Sequence, residues 1–328
     1  MIRKKEISVI EKVDQAAESV HRHLPAVTNK SKEWLWKIFR TVLLVGISYV
    51  ILYPILLKIS IAFRGQEDMF DQTIFWFPKH VSFDNFIYVM EKMDYWGSLM
   101  NTLFIAAMAA ILQTISCALA GYGFARLKFW GSSVLFVLVI FTIIVPPQTI
   151  MVPTYLHYRY FDLFGLVESL TGKPELNLLN TQWPFILSYL TATGLKNGLY
   201  IFIFRQFFRS LPNELEEASL VDGAGPFKTF RSVMLPNAVP AIVTVVLFSF
   251  VWQYSDTYYV SMFLTESSVL SMQLSALPGT LGLNSSEPIL NSYRLNAGIV
   301  LVIIPLIIFY LLLQKKFVES VERSGIVG

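Results

Sequence analysis

Few residues of this chain have the type and spacing to do chemistry, and they gather in two places. One is the stretch ELEEASLVDGAGPFKTFRSVMLP, residues 214–236, where carboxylates crowd the start of a helix and two glycines end it. The other is the run Trp252-Gln253-Tyr254-Ser255-Asp256 inside an apolar segment, joined by Lys196, a lone charge inside another. Aromatic faces pack on the apolar faces of sugar rings, and Gln, Ser and Asp hydrogen-bond hydroxyls. Polar residues within a membrane span are costly in lipid and usually face a cavity, which makes Trp252, Gln253, Tyr254, Ser255, Asp256 and Lys196 candidates for a substrate pathway. The competing reading is an aromatic belt at the outer interface, the assignment given to Tyr258 and Tyr259.

Bond-breaking chemistry finds no support. There is no GxxxxGK[ST] phosphate loop, so no segment cradles nucleotide phosphates in the usual way. No Ser-His-Asp set and no paired carboxylates stand out. The four histidines (His21, His23, His80, His157) are scattered, and His157 reads as an interfacial polar residue rather than a ligand. A single cysteine, Cys117, excludes an internal disulfide and argues against a cysteine zinc site. The expectation is a non-enzyme that binds no metal or cofactor of its own.

The elements that must position these residues are membrane helices. Of 328 residues 54% are hydrophobic and only 15% charged, against roughly 25% charged in soluble domains. The charges cluster in islands between long apolar runs. A spanning helix needs about 20 apolar residues, and six runs qualify: between Arg40 and Lys58, Tyr95–Ala125 with its helix starting near Asn101, Val134–Val152, Pro184–Phe204, Val239–Tyr259 and Ala297–Leu313. Placing the N-terminus inside puts eighteen lysines and arginines on the cytoplasmic side against six outside, which fixes both termini and residues 214–236 as cytoplasmic. The net charge of +3 therefore reflects topology rather than nucleic acid. Residues 1–37 lack a secretory apolar core; Ile7, Ile10, Val13, Ala17, Val20 and Leu24 recur at helical spacing. This tail is either an amphipathic helix on the inner leaflet or a frayed cytosolic segment. Residues 38–318 make the six-span domain, with a loop at 210–236, and 319–328 a cytoplasmic tail.

Within that loop, Pro212 and Glu214, Glu216 and Glu217 mark a helix N-terminus, where carboxylates complement the dipole. Asn213 with Glu216 resembles a capping box, and Ser210 is an equally good cap. Gly223 and Gly225 stop the helix and Pro226 suits the start of a second. Leu215, Ala218 and Val221 lie along one side with Ser219 beside them. Such a unit is either an ordinary surface helix bridging two spans or a docking knob.

The spacing resembles the loop of permease subunits in bacterial ABC importers. That family's pattern is Glu-Ala-Ala, three residues, Gly, nine residues, Ile, any residue, Leu-Pro. Here it reads Glu217-Ala218-Ser219, Gly223, then Val233-Met234-Leu235-Pro236, with Ser219 and Val233 as departures. GYGFARLKFWG (121–131), IIVPPQTIMVPTY (143–155), GLYIFIFRQFFRSLPNELEEAS (198–219) and FSFVWQYSDTYYVSMFL (248–264) look like the sugar-importer branch that contains the maltose-type second permease. The insertion TGKPELNLLN (171–180) and the tail are less typical, and the family usually has Trp-Asn where this chain has Tyr254-Ser255.

The resemblance implies an all-α membrane protein with six transmembrane helices and a cytoplasmic coupling helix between spans four and five, the type I ABC importer permease fold. It implies a bacterial cytoplasmic-membrane location, and ATPase coupling through Glu214, Glu217, Ala218, Ser219, Asp222 and Gly223. The implied partners are a second homologous permease, two ATPase subunits carrying ATP and Mg, an extracellular solute-binding protein and membrane lipid, with no nucleic acid. The implied cargo is a sugar or oligosaccharide. A non-sugar cargo, such as a glycerol phosphodiester or a peptide, remains open, as does a self-contained secondary transporter or channel. Lys196 lies nine residues above Arg205, roughly 13 Å into the membrane, and Asp256 roughly 24 Å above Pro240. That offset argues against a direct pair. Gly194 and Gly198 beside Lys196 are expected to open the helix locally. The long outer loops either meet the binding protein or form a packed cap.

Overall fold

The computed structural model describes residues 2–325 except 164, 173, 267 and 283–286; of residues 2–31, 170, 171 and 316–325 only the backbone is described. The chain divides into two compact units, Met1–Ser60 and Ile61–Gly328. The first is a single helix, part of α1 (Ile2–Ala62), in which the backbone continues helical across residue 37. Its segment Lys32–Ala62 is long and apolar enough to span a bilayer. The apolar face expected of Ile7 to Leu24 lies outside the described side chains.

The second unit is helical throughout, and its only β pairing among the described residues is two isolated bridges, Arg64 with Val81 and Phe161 with Leu176. Its helices run α2 (Asp84–Lys92), α3 (Tyr95–Arg126), α4 (Ser132–Ile144), α5 (Met151–Arg159), α6 (Leu166–Thr171), α7 (Trp183–Leu190) and α8 (Asn197–Ser210). They continue with α9 (Glu214–Val221), α10 (Pro226–Thr229), a π-helical turn (Phe230–Met234), α11 (Leu235–Asn237), α12 (Val239–Tyr254), α13 (Tyr258–Phe263), α14 (Leu270–Thr280) and α15 (Pro288–Gly325).

The central helix is α3, which packs on α8, α12 and α7. Its buried stripe is built from small residues at three- and four-residue steps, Ala106, Ala109, Ala110, Cys117, Ala118 and Gly121. Small residues let membrane helices approach closely, since lipid offers little hydrophobic drive for their association. Gly121 shows how close: a Cβ there would stand 2.5 Å from Cβ of Phe204 and 3.0 Å from the amide nitrogen of Arg205. The opposite faces carry exposed Phe104, Ile111 and Ile115 on α3, and Val134, Val137 and Phe141 on α4, which buries no residue at all.

The spans depart from the sequence expectation in two places. Among the described residues, three helices are long and apolar enough to cross a membrane, or five if each of two bent pairs forms one span. One pair bends by 105° between Ser132–Ile144 and Pro147–Arg159, because Pro146 is extended and ends the helix. The run Pro184–Phe204 is not one helix: it breaks between α7 and α8, with Ala192 (φ 55°) and Lys196 (φ 62°) left-handed. Irregular backbone at membrane depth persists only where protein satisfies it, and here α3 does so. Gln113 Nε2 donates to the Leu195 carbonyl at 2.9 Å, and Ser116 Oγ to the Tyr189 carbonyl at 2.6 Å. The Ser249 hydroxyl donates to Gln113 Oε1 and braces it. Gly194 leaves room for the Tyr189 ring, which a Cβ would meet at 2.6 Å. Gly198 serves another purpose, the close crossing of α8 on Val139 and Thr142 of α4.

Before α2, a loop is organised around the buried Asp68. Its carboxylate accepts from the backbone N–H groups of Lys79 (3.0 Å) and His80 (3.1 Å) and meets His80 Nδ1 at 2.8 Å. That contact raises the His80 pKa above the ordinary histidine value.

Candidate functional site

The 214–236 unit is a helix, a glycine turn and a second helix. The turn closes as a Schellman motif: the Ala224 N–H donates to the Ser219 carbonyl and the Gly223 N–H to the Leu220 carbonyl, both at 3.0 Å. Gly223 holds φ 78° in open space, so its backbone conformation, not crowding, requires glycine. Ser219 Oγ meets Thr229 Oγ1 at 3.0 Å, and Thr229 is fully buried. Thus Ser219, expected on the docking side, is used inside the unit to tie α9 to α10. Glu214, Glu217, Ala218, Asp222 and Gly223 are exposed. Beside them stand two outward apolar side chains, Val221 (87% exposed) and Phe227 (67%).

Neither expected cap forms on α9. Asn213 makes no side-chain bond to the helix start, because its Oδ1 accepts from Arg126 Nη1 instead. Ser210 Oγ donates back to the Phe207 carbonyl at 2.7 Å. Glu216 faces inward rather than boxing the cap. Its Oε1 accepts from the Tyr122 hydroxyl at 2.8 Å, and its Oε2 lies 3.6 Å from Arg126 Nε. Arg126, the last residue of α3, also donates through Nη2 to the carbonyls of Phe208 (2.8 Å) and Leu211 (2.5 Å), closing the C-terminal end of α8. The Tyr122 ring packs on Phe208 and Phe230. One buried cluster of an acid, a base and a phenol therefore joins α9 to both α3 and α8. Sequence reasoning quoted Tyr122 and Arg126 within GYGFARLKFWG but assigned them no role. Four-residue spacing, which puts them on one face of a helix, was the available signal.

The polar run at the end of α12 is divided among separate tasks. Tyr254 is buried and donates to the Val302 carbonyl at 2.9 Å, fastening α12 to α15. Asp256 is buried and accepts from the N–H groups of Tyr258, Tyr259 and Val260 at 3.1 to 3.3 Å. It therefore caps the start of α13, and its carboxylate is committed to backbone. Ser255 is exposed and donates to the Val251 carbonyl at 2.9 Å. Trp252 is half-buried between Phe248 (5.6 Å) and Tyr200 (6.0 Å), and the Lys196 ammonium stands 5.4 Å from its ring. No ion pair joins Lys196 to Asp256 among the described residues.

Of these residues Gln253 alone lines a cavity of about 610 Å³, together with His157, Tyr158, Ser188, Tyr189, Thr193 and Tyr259. Tyr259, assigned to an outer belt from the sequence, belongs to this wall. Sequence reasoning missed Tyr158, which lies on α5, and Ser188, Tyr189 and Thr193, because Pro184–Phe204 read as one span whose single anomaly was Lys196.

Residues 114–323 match the family described as "Binding-protein-dependent transport system inner membrane component". The chain is 28% identical over 287 residues to the melibiose/raffinose/stachyose import permease protein MelC of Bacillus subtilis (strain 168), covering 87% of this chain and 94% of that protein. It is 29% identical to the maltodextrin transport system permease protein MalD of Streptococcus pneumoniae (strain ATCC BAA-255 / R6), covering 87% and 93%. It is also 29% identical to the osmoprotective compounds uptake permease protein GgtD of Synechocystis sp. (strain ATCC 27184 / PCC 6803 / Kazusa), covering 91% and 95%. In fold it is similar to a chain in the crystal structure of a bacterial ABC transporter involved in the import of the acidic polysaccharide alginate. There the TM-score is 0.68 at 23% identity, over 86% of this chain and 96% of that one.

Proposed function

Since the chain belongs to the family of inner membrane components of binding-protein-dependent transport systems, we propose that it forms half of the translocation pathway of an ATP-driven importer for a neutral sugar or oligosaccharide. A second homologous permease supplies the other half, two ATPase subunits hold ATP and Mg, and an extracellular binding protein delivers the cargo. Both termini and the 214–236 unit lie on the cytoplasmic side, as the lysine and arginine distribution requires.

The observation that carries the reading is the division of labour within α9. Glu214, Glu217, Ala218, Val221, Asp222 and Gly223 face outward, free to seat in a partner's groove. Glu216 and Ser219 hold the helix to the bundle from behind. A rigid knob fastened to α3 and α8 converts closure of the ATPase pair into tilting of those helices, a rigid-body gating of one bundle against the other. Cargo class rests on MelC and MalD, both named for oligosaccharides. GgtD, named for osmoprotective compounds, supports the second reading, a cargo of another solute class.

Co-purification from the native membrane tests the coupling role. The tagged wild type is expected to bring down an ATPase and a second permease, and the double substitution Glu217→Lys with Gly223→Pro to lose the ATPase while keeping the permease. Retention of the ATPase by the double variant would sink the docking role of α9.

A further inference from the structure

We propose that the turn between α3 and α4, together with the C-terminal end of α8, holds the headgroup phosphate of an anionic phospholipid of the inner leaflet. The choice of leaflet rests on the cytoplasmic placement proposed above. The site itself rests on three cations. Arg205 of α8 is half-buried, and its Nε donates to the Phe124 carbonyl at 3.2 Å. Its guanidinium lies over the Phe136 ring, 3.8 Å from the centroid. No other hydrogen bond reaches that guanidinium among the described residues, so its two terminal nitrogens are unspent. Arg209 follows one turn on along α8, and Lys128 stands in the turn after α3, both exposed. No carboxylate pairs with any of the three among the described residues.

The turn is fastened where these cations gather. Phe129 packs on Phe124 with ring centroids 6.0 Å apart, and Phe124 on Phe136 at 5.7 Å. The segment that carries Lys128 is therefore held against the residues that seat Arg205. Arg205 and Arg209 act on each other as like charges, a repulsion that an anion beside both removes. Phosphate suits the pair, because a guanidinium presents a planar fork that meets two of its oxygens at once.

The apolar surroundings choose a lipid over a soluble anion. Trp130, in the same turn, is 99% exposed, and tryptophan collects at membrane–water interfaces. Directly after it runs α4, which buries no residue and exposes Val134, Val137 and Phe141. A headgroup on the cations leaves its acyl chains to lie along that helix, as in basic pockets between membrane helices on the cytoplasmic side. A free phosphate or an acidic protein segment would neutralise the charges and leave this apolar surface uncovered. The same end of α8 carries the Phe208 and Leu211 carbonyls held by Arg126, which also pairs with Glu216 of α9. The lipid thus braces, from the membrane side, the helix end on which the ATPase-facing unit is mounted.

The test is lipid binding by the complete purified importer in detergent, titrated with fluorescent phosphatidylglycerol and, separately, phosphatidylcholine. Saturable binding of the anionic lipid alone is expected. Lys128→Gln with Arg209→Gln should weaken it about thirtyfold, two cations being lost. Lys228→Gln with Arg231→Gln removes as many charges from the 214–236 unit and should change it less than twofold. Equal weakening by the two pairs would reduce the effect to general surface charge and overturn the site. Displacement by glycerol phosphate at the concentration of the lipid would make this a soluble-anion site and overturn the lipid. Loss of the ATPase alone from the Lys128 and Arg209 variant would make the cluster a protein interface and overturn it as well. If that variant does not assemble at all, Lys128→Gln by itself serves, with about a fivefold loss expected. A membrane-impermeant maleimide should label Trp130→Cys in inside-out vesicles only, the native Cys117 being fully buried. Labelling from the outer face would sink the cytoplasmic placement and this proposal with it. Labelling from the inner face, with no preference for phosphatidylglycerol, would sink the site alone.

Discussion

At Glu216 the carboxylate turns inward, while its neighbours Glu214 and Glu217 turn out. Read along the sequence, all three acids serve the same purpose, complementing the positive end of a helix dipole. What separates them is the location of Tyr122 and Arg126, ninety residues away, which no local pattern reveals. The same holds for Asp256: its type and setting suit a sugar hydroxyl, but its acceptors are taken by the start of α13. A charge-assisted hydrogen bond of the kind Glu216 makes contributes about 1.5–3 kcal/mol. Glu216→Ala is therefore expected to lower uptake on the order of tenfold, since 1.4 kcal/mol is one factor of ten, while the ATPase still co-purifies. Tyr122→Phe, which leaves the Arg126 pair in place, should give a smaller loss. Uptake by membrane vesicles, measured beside the pull-down, checks both. Loss of the ATPase from Glu216→Ala would show instead that this residue is part of the docking surface.

At the scale of the element, existence was readable and shape was not. The apolar runs at Tyr95–Ala125 and Ala297–Leu313 fall within α3 and α15, because length and hydropathy suffice to find a helix. The run Pro184–Phe204 has the same composition and is nonetheless broken, since the hydrogen bonds that tolerate the break come from Gln113 and Ser116 on α3. The flanking glycines hinted at the opening, yet Gly198 serves the α4 crossing. Two glycines of α3, two positions apart, make the packing testable. At Gly121 a Cβ collides with Phe204 and the backbone of Arg205, whereas at Gly123 nothing lies within 4 Å. Gly121→Ala should lower the thermal midpoint of the purified complex, as overpacking costs about 1–3 kcal/mol. Gly123→Ala should leave it unchanged or raise it, because glycine inside a helix costs roughly 0.5–1 kcal/mol relative to alanine. Equal shifts for the two would refute the close crossing of α3 on α8.

For the whole molecule, the exposed apolar faces of α3 and α4 are surfaces for lipid or for another permease. The excess of apolar over charged residues already placed it in a membrane. The spacing from Glu217 to Pro236 pointed to the family before any contact was known, because the turn at Gly223 is set by residues adjacent in sequence. The cavity was hidden for the opposite reason: its walls come from α5, α7, a helix break and α12, and only the fold brings them together. The central claim is that this chain moves cargo only as part of an ATP-driven assembly. The most direct measurement is uptake of a labelled neutral oligosaccharide into proteoliposomes holding either the chain alone or the complete complex with its binding protein. The expected result is ATP-dependent uptake by the complex and none by the chain alone, with or without an ion gradient. Gradient-driven uptake by the isolated chain would contradict it and identify a self-contained transporter.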